Sequence, residues 1–369
     1  MNFTISKEQI MLGLQAVQNI VTNRTTLPIL SNVLLRAEGE ILELTATDLD
    51  VTIACTVKAN VITGGSTTLP VKKLFGIVRE LGGTEVEFKV DEKNRCSMSC
   101  GSSFYKIHGL AAEEFPPMTR FRDEKKVVLP QDKLRGMLRK TCFATSTDES
   151  RYVLNGIFFS LKEHKLTMVA TDGRRLALVE EEVDLPDDVQ GDFIVPSKTV
   201  NELTRLLGDK GEMELQYTAN QAAITLKGEQ GPAILLVTKL IEGNYPNYRQ
   251  VIPAEVKERV PMNREEFLHA LRRAEIMTSD KQNSVKLNFT KNNLAITANT
   301  PEVGEALESI AINYKGKEMA IAFNPGYMIE PLSALTEDEI YFELIDELSP
   351  GVLKINGPYL YVVMPMRLS

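Results

Sequence analysis

No stretch of this chain stays apolar long enough to span a membrane. Its opening, Met1-Asn2-Phe3-Thr4-Ile5, lacks the charged and apolar regions of a secretory signal. A cytoplasmic protein without membrane contact is expected. Cysteine is scarce: Cys55, Cys96, Cys100 and Cys142 are the only four. Cys96 and Cys100 are four apart in a strand-like run and form no CxxC, so the thiols read as reduced and structural. The three histidines, His108, His164 and His269, are scattered. The patterns GxxxxGK[ST], HExxH and GxSxG are all missing. Positive charge is in deficit as well. A net charge of −8 argues against a generic nucleic-acid binder, although binding needs only a local basic surface.

What the chain has instead is repetition. Leu42-Glu43-Leu44-Thr45-Ala46-Thr47-Asp48 returns as Leu166-Thr167-Met168-Val169-Ala170-Thr171-Asp172, and again as Leu294-Ala295-Ile296-Thr297-Ala298-Asn299-Thr300. The offsets are 124 and 128 residues, about a third of the 369. That period is too long for a solenoid unit and suits a domain. Three tandem domains are expected, at 1–121, 127–253 and 260–369. The charged segments Arg122 to Lys126 and Ala254 to Arg259 serve as linkers.

One repeat can be read in order. Phe3-Thr4-Ile5 opens as a strand. Ser6, with Gln9 three residues on, is a capping box, and Ile10, Leu14, Val17 and Val21 follow at helical spacing. Strand runs come next at Ile29 to Arg36, Ile41 to Ala46 and Val51 to Val57. A second helix runs from about Val71 to Leu81 and stops at Gly82-Gly83. Three further strands follow, ending at Phe104 to Ile107. The pattern is strand, helix, three strands, performed twice. Later repeats open their first helices near Gln131 and at Asn263, and their second after Pro196-Ser197 and Asn324-Pro325. The drop in offset is ascribed to a tighter hairpin at Lys291-Asn292-Asn293, in place of a longer turn from Leu161 to Lys165. The expected class is α+β. Each domain has two helices covering one side of about eight antiparallel strands.

Candidate chemistry is sparse. Asp48 and Asp172 invite an acid/base reading. They occupy the same place in separate domains, however, and the third copy has Thr300, so a turn role is favoured. We read no catalytic residue, no metal and no cofactor. Basic residues say more. Lys72 and Arg79 lie seven apart on one helix, and Lys198 and Arg205 hold the equivalent places, while the third repeat has Gly326 and Ser333. Arg139-Lys140 likewise corresponds to Arg272-Arg273. One pair of this kind is an ordinary solvated helix face; recurrence suggests a basic stripe on a common side. Helices pack about 8–10 Å apart, so six of them lining a ring leave no room for a duplex, whereas twelve leave an opening of roughly 20–28 Å. That admits B-DNA, about 20 Å across. A homodimer of three-domain chains would supply twelve.

Several segments resemble one known family. They are Arg24-Thr25-Thr26-Leu27-Pro28-Ile29-Leu30, Arg151-Tyr152-Val153-Leu154-Asn155-Gly156, Ala170-Thr171-Asp172-Gly173-Arg174-Arg175-Leu176-Ala177 and Tyr361-Val362-Val363-Met364-Pro365-Met366-Arg367-Leu368. The family is the bacterial sliding clamp, the beta subunit of DNA polymerase III, and the likeness spans the chain. The resemblance implies a non-catalytic, ring-shaped, head-to-tail homodimer around double-stranded DNA that tethers the replicative polymerase. By that likeness Arg24, Lys72, Asp148, Tyr152 and Val153 stand where the family contacts DNA. Asp148 departs from a neutral amide and Val153 from a second tyrosine. Lys198 and Arg205 are added from the helix pattern.

The likeness also implies a peptide pocket. Its residues would be Leu154, Thr171, Gly173, Arg175, Leu176, Pro246, Val251, Val362, Val363, Met364 and Met366, with Gln250 replacing a family arginine at the rim. Flexible methionines in an apolar cleft suit several partners. The implied partners are the polymerase III alpha subunit, the clamp loader delta subunit, other polymerases, ligase and mismatch-repair proteins. Tyr105 and Ile107 of one chain would meet Ile276 and Met277 of the other. A monomeric interaction scaffold that never encloses DNA is the alternative.

Overall fold

The computed structural model describes all residues except 22–26, 120, 122–125, 185–188, 228–231, 280–282 and 368–369. Six α-helices stand among the described residues: α1 (Lys7–Val17), α2 (Val71–Glu80), α3 (Gln131–Thr141), α4 (Ser197–Leu206), α5 (Arg264–Glu275) and α6 (Pro325–Ala334). Their starts follow local chemistry. The Ser6 hydroxyl accepts the Gln9 amide at 3.2 Å, Asn263 Oδ1 accepts the Glu266 amide at 2.9 Å, and Asn324 Oδ1 accepts the Gly326 amide at 2.9 Å. Each bond satisfies an amide that the first helical turn leaves without a partner.

The chain forms two compact units. One comprises Met1–Arg135 with Asn201–Leu240, the other Gly136–Val200 with Ile241–Ser369. The middle repeat thus contributes to both.

In the first unit, a five-stranded sheet runs Asn60–Thr63, Asn2–Ser6, Glu85–Val90, Arg95–Cys100, Ser103–His108. An eight-stranded sheet runs Lys126–Pro130, Glu212–Tyr217, Gln221–Lys227, Ala233–Lys239, Val51–Lys58, Ile41–Thr47, Asn32–Glu38, Gly65–Pro70. Its middle is a seam between repeats, where Leu235 faces Ala54 and Val237 faces Thr52. Helix α1 buries Ile10, Leu14 and Val17. It lies so close to the sheet that a Cβ on Gly13 would sit 2.6 Å from Leu44 Cδ1. The glycine sets that approach.

The second unit repeats the plan. Its eight-stranded sheet runs Gly191–Pro196, Gly156–Lys162, Lys165–Thr171, Arg175–Glu182, Tyr359–Val363, Gly351–Lys354, Glu339–Leu344, Glu258–Asn263. Arg175–Glu182 pairs with Tyr359–Val363 as the second seam. A four-stranded sheet runs Gly304–Ala311, Asn293–Thr300, Val285–Thr290, Met319–Phe323.

The hairpin explanation of the changing offset is corrected here. Both turns are two residues long: Lys162 pairs with Lys165, and Thr290 with Asn293. The difference arises earlier. Between α3 and its next strand lie the short 3-10 turns Cys142–Ala144 and Glu149–Leu154, whereas the span after α5 is five residues shorter. Glu163 and His164 both take up positive φ, whereas in the second hairpin Asn292 does and Lys291 does not, so the same length is reached by two different turns. The extra length carries Asp148, Tyr152 and Val153.

Burial pushes the Cys55 and Cys96 thiols up to about 12. That accords with apolar packing and with no nucleophilic role.

One ion triad ties the first unit's sheet across three strands. Glu214, 14% exposed, meets Lys126 Nζ at 2.7 Å and Lys227 Nζ at 3.1 Å. The Lys126 hydrogen bond is the main cause holding the Glu214 carboxyl below its ordinary value. A carboxylate depressed in the folded state adds stability above its unfolded pKa, about 4.3. It loses that contribution as pH falls through the folded value. Glu214→Gln is expected to lower the urea midpoint at pH 7 and to flatten its decline between pH 5 and pH 3. Parallel declines for the two proteins would contradict the assignment.

Candidate DNA-facing surface, peptide pocket and subunit edges

The turn at residues 171–175 organises the second unit's pocket. Thr171 Oγ1 accepts the Gly173 amide at 3.1 Å and donates to the Arg175 carbonyl at 2.6 Å. Asp172 Oδ1 accepts the Arg174 and Arg175 amides at 2.8 and 3.1 Å. Asp48 does the same for Asp50 and Val51 at 3.0 and 2.8 Å. Both aspartates therefore hold a turn. Gly173 sits at φ +85°, and a Cβ there would stand 2.7 Å from Arg151 Nη1. Only glycine fits both conditions.

Strand register then brings separated residues together. Arg175 lies opposite Val363 and Leu176 opposite Val362. Leu176 packs with Val169, Val352 and Val362. The Met364 amide donates to the Arg174 carbonyl at 2.9 Å, and the Met366 amide to the Ala322 carbonyl at 2.7 Å. These bonds fix the C-terminal segment while leaving both methionine side chains more than two-fifths exposed. Tyr245 and Tyr248 pack against the same cluster, with Tyr245 stacked on Phe158 at 5.0 Å. Pro246 lies between these tyrosines, and exposed Val251 ends the short helical turn Tyr248–Val251. Leu154 is buried. Sequence reasoning missed Phe158, Val169, Tyr245, Tyr248 and Val352. Alternation of apolar residues along their strands was the available signal for Phe158, Val169 and Val352; Tyr245 and Tyr248 lie off the strands and had none.

Arg175 turns inward. Its guanidinium pairs with Asp172 at 3.0 Å and with Glu330 of α6, and donates to the Phe143 carbonyl at 2.6 Å. It also lies over the Tyr327 ring at 4.4 Å. Its hydrogen bond to Glu330 and the flanking carboxylates outweigh burial and raise its pKa further. The side chain is 8% exposed, so it braces the pocket from behind.

The basic residues divide into two kinds. Lys72 and Lys198 are exposed on α2 and α4. Arg79 lies over Phe75 and meets Glu80 at 2.9 Å. Arg205, in contrast, is occupied within the first unit. It donates to the Gln15 and Ala16 carbonyls at 2.8 Å each, at the end of α1, and pairs with Glu202 at 2.6 Å. It stitches the middle repeat to the first. Arg24 falls outside the described residues. Tyr152 is 57% exposed and Val153 half-buried. Asp148 caps its own 3-10 turn, accepting the Ser150 amide at 3.0 Å and pairing with Arg151 at 3.0 Å. The Ser150 hydroxyl bond is the main cause holding its carboxyl below the ordinary range.

Each unit also presents an open sheet edge. Ser103–His108 ends the five-stranded sheet, with Phe104 59% and Tyr105 37% exposed and Ile107 turned inward. Gly304–Ala311 ends the four-stranded sheet, with Leu307 71% exposed. Ile276, just after α5, is 73% exposed, and Met277 is half-buried. Leu307 was not foreseen. Among the described residues, no cluster of His, Cys, Asp and Glu could hold a metal, and no helix is long and apolar enough to cross a membrane.

Comparison with known proteins matches this architecture repeat by repeat. Residues 1–119, 128–247 and 249–367 match the N-terminal, central and C-terminal domains of the DNA polymerase III beta subunit. The chain belongs to the DNA polymerase III beta-subunit family. It is a three-domain DNA sliding clamp. It is 35% identical to the beta sliding clamp of Haemophilus influenzae and 36% identical to that of Proteus mirabilis, each over the full length of both chains. A crystal structure of the sliding clamp from Bartonella birtlesii, bound to griselimycin, superposes with a TM-score of 0.94 at 33% identity, covering both chains completely.

The clamp pocket depends on Arg175 for its shape. Arg175→Met would leave Glu330 and the Phe143 carbonyl without their cation. A loss of about 1.5–3 kcal/mol is expected, the worth of hydrogen bonds to a charged group, because Glu330 is 45% exposed and stays solvated. Urea denaturation measures it, and an unchanged midpoint would show that the network is not structural.

Proposed function

We propose that two copies of this chain close head to tail into a ring around duplex DNA and tether the replicative polymerase without catalysing a reaction. One observation carries the reading. At each internal seam, the third strand of one repeat's first half pairs with the last strand of the next repeat's second half: Val51–Lys58 with Ala233–Lys239, and Arg175–Glu182 with Tyr359–Val363. The corresponding pair that the chain leaves open is Gly304–Ala311 and Ser103–His108. Two copies satisfy both edges by the same rule, and a two-fold ring makes the two junctions equivalent. Exposed Phe104, Tyr105, Ile276 and Leu307 support an apolar contact there, together with Ile107 and Met277.

Within such a ring, Lys72 and Lys198 would meet phosphates, with Arg24, Tyr152 and Val153 nearby. Phosphate contacts carry no sequence information and exchange readily, so the ring can hold DNA while moving along it. Asp148 and Arg205 would act by positioning their own loops and helices. The pocket around Leu176, Val362 and Met364 would take short peptide segments of partners. The alpha subunit of polymerase III, the clamp loader delta subunit, other polymerases, ligase and mismatch-repair proteins are the proposed set. A cytoplasmic location belongs to the same reading.

Retention on DNA tests the ring. Once loaded, the protein is expected to stay on a closed circle and to leave a linear duplex through its free ends; equal retention on both would end the proposal. The pocket has its own test. Leu176→Ala with Met364→Ala should weaken binding of partner-derived peptides at least about tenfold, given about 2–5 kcal/mol for a buried leucine cut to alanine. The dimer should survive in the same sample by sedimentation. Unaltered peptide affinity would remove the pocket from this site.

A further inference from the structure

The seam inside the first unit repeats the construction of the Leu176–Val362 pocket. In the pocket, Val169 faces Leu178 and Leu176 faces Val362. In the first seam, Thr45 faces Ala54 and Thr52 faces Val237. The covering segments correspond as well: Phe115-Pro116-Pro117-Met118 stands for Tyr245-Pro246-Asn247-Tyr248. What differs is side-chain size. Leu176, Leu178 and Val352 are replaced by the smaller Thr52, Ala54 and Ala223, while Val169 gives way to Thr45, of like size but polar. Leu34 stands where Phe158 stacks on Tyr245, so no ring pair closes the first seam.

The smaller residues leave space. A cavity of about 700 Å³ lies between the sheet and the 112–119 stretch with Phe121. A second, of about 190 Å³, adjoins it, sharing Pro116, Pro117 and Thr119. The smaller cavity is lined by Thr47, Thr52, Pro116 and Val237, the counterparts of Thr171, Leu176, Pro246 and Val362. The larger falls within the size range of ligand sites, about 300–1,000 Å³. Its lining is mixed. Leu34, Phe115, Met118 and Phe121 supply apolar surface. Thr45, Thr56, Thr225 and Gln216 also line it, and none of these four side chains has a hydrogen-bond partner among the described residues. A hydroxyl donates and accepts, and an amide does both through separate atoms. Four such groups, spread over four strands on one face of the sheet, offer donors and acceptors to a peptide backbone laid across it.

We propose that this cleft is a second peptide site. It takes a short extended peptide, seating one bulky apolar side chain between the sheet and the side chains of Phe115, Met118 and Phe121. The peptide backbone pairs with Thr45, Thr56, Thr225 and Gln216. The inference rests on reading the Leu176–Val362 pocket as a peptide site. Its looser, hydroxyl-bearing floor gives it a preference distinct from that of its counterpart.

The test uses the full-length protein with labelled methionine, alanine and threonine methyls, titrated with N-acetyl-leucyl-phenylalaninamide. Methyl shifts are expected at Met118, Ala54 and Ala223, and separately at Met364 and Met366. Thr225→Val, nearly the same shape, should weaken the first response about three- to tenfold, the worth of one hydrogen bond, and leave the second unchanged. Ala54→Leu with Ala223→Val, which restores the residues of the other pocket, should abolish the first response alone. Shifts confined to Met364 and Met366 would overturn the second site while leaving the first pocket standing. Shifts at Met118 that persist in the filled variant would overturn it too. Silence at both sets would overturn the peptide reading of both clefts.

Discussion

Edge-strand pairing between repeats is the constraint on which the rest of this molecule depends. An unpaired strand edge presents a row of unsatisfied amides and carbonyls. The chain pairs four such strands internally, through the seams at Val51–Lys58 with Ala233–Lys239 and at Arg175–Glu182 with Tyr359–Val363, and leaves Ser103–His108 and Gly304–Ala311 as the corresponding open pair. The clefts and the proposed subunit contacts sit at a seam or at this open pair. The pocket lies across the second seam, the cavities across the first, and the exposed Phe104 and Leu307 at the open ends.

The side chains near the seams show how a binding surface is kept rigid. Arg175 connects a turn, a helix and a 3-10 segment from beneath the pocket, so the exposed methionines rest on a fixed floor. Arg205 performs a related task for the first seam by satisfying two carbonyls at the end of α1. A guanidinium suits this role because its planar donors reach several acceptors at once. In both places a basic residue that looks available for a ligand is already engaged by the protein.

Much of the fold was legible because it rests on local rules. Ser6, Asn263 and Asn324 mark helix starts by chemistry that operates within four residues, and the strand runs announce themselves by alternation. The repeat added the domain count. What stayed hidden was non-local. Nothing in the sequence around Arg205 shows that its donors end on Gln15 and Ala16, nearly two hundred residues away. Similarly, Leu176 and Val362 become neighbours only through strand register. The altered offset was misplaced for a related reason: two hairpins of different sequence, Glu163-His164 and Lys291-Asn292, close in two residues each, while the true length change hides in the 3-10 turns before them. The pocket residues were named through family likeness, and those that likeness did not supply are joined by tertiary contact: Phe158 with Tyr245 and Tyr248 through their rings, and Val169 and Val352 through the buried cluster around Leu176.

The division of the middle repeat carries a consequence for how such a chain can change. Its residues are shared between two compact bodies, one reaching to Arg135 and resuming at Asn201, the other taking the remainder. The repeat is therefore a unit of ancestry without being a unit of cohesion. Copying it as a whole inserts matching borders on both sides, which neighbours can accept. Excising it by itself would take half the main sheet from each flanking module and bring Val51–Lys58 against Tyr359–Val363, edges of matching kind whose side chains have no history of packing together.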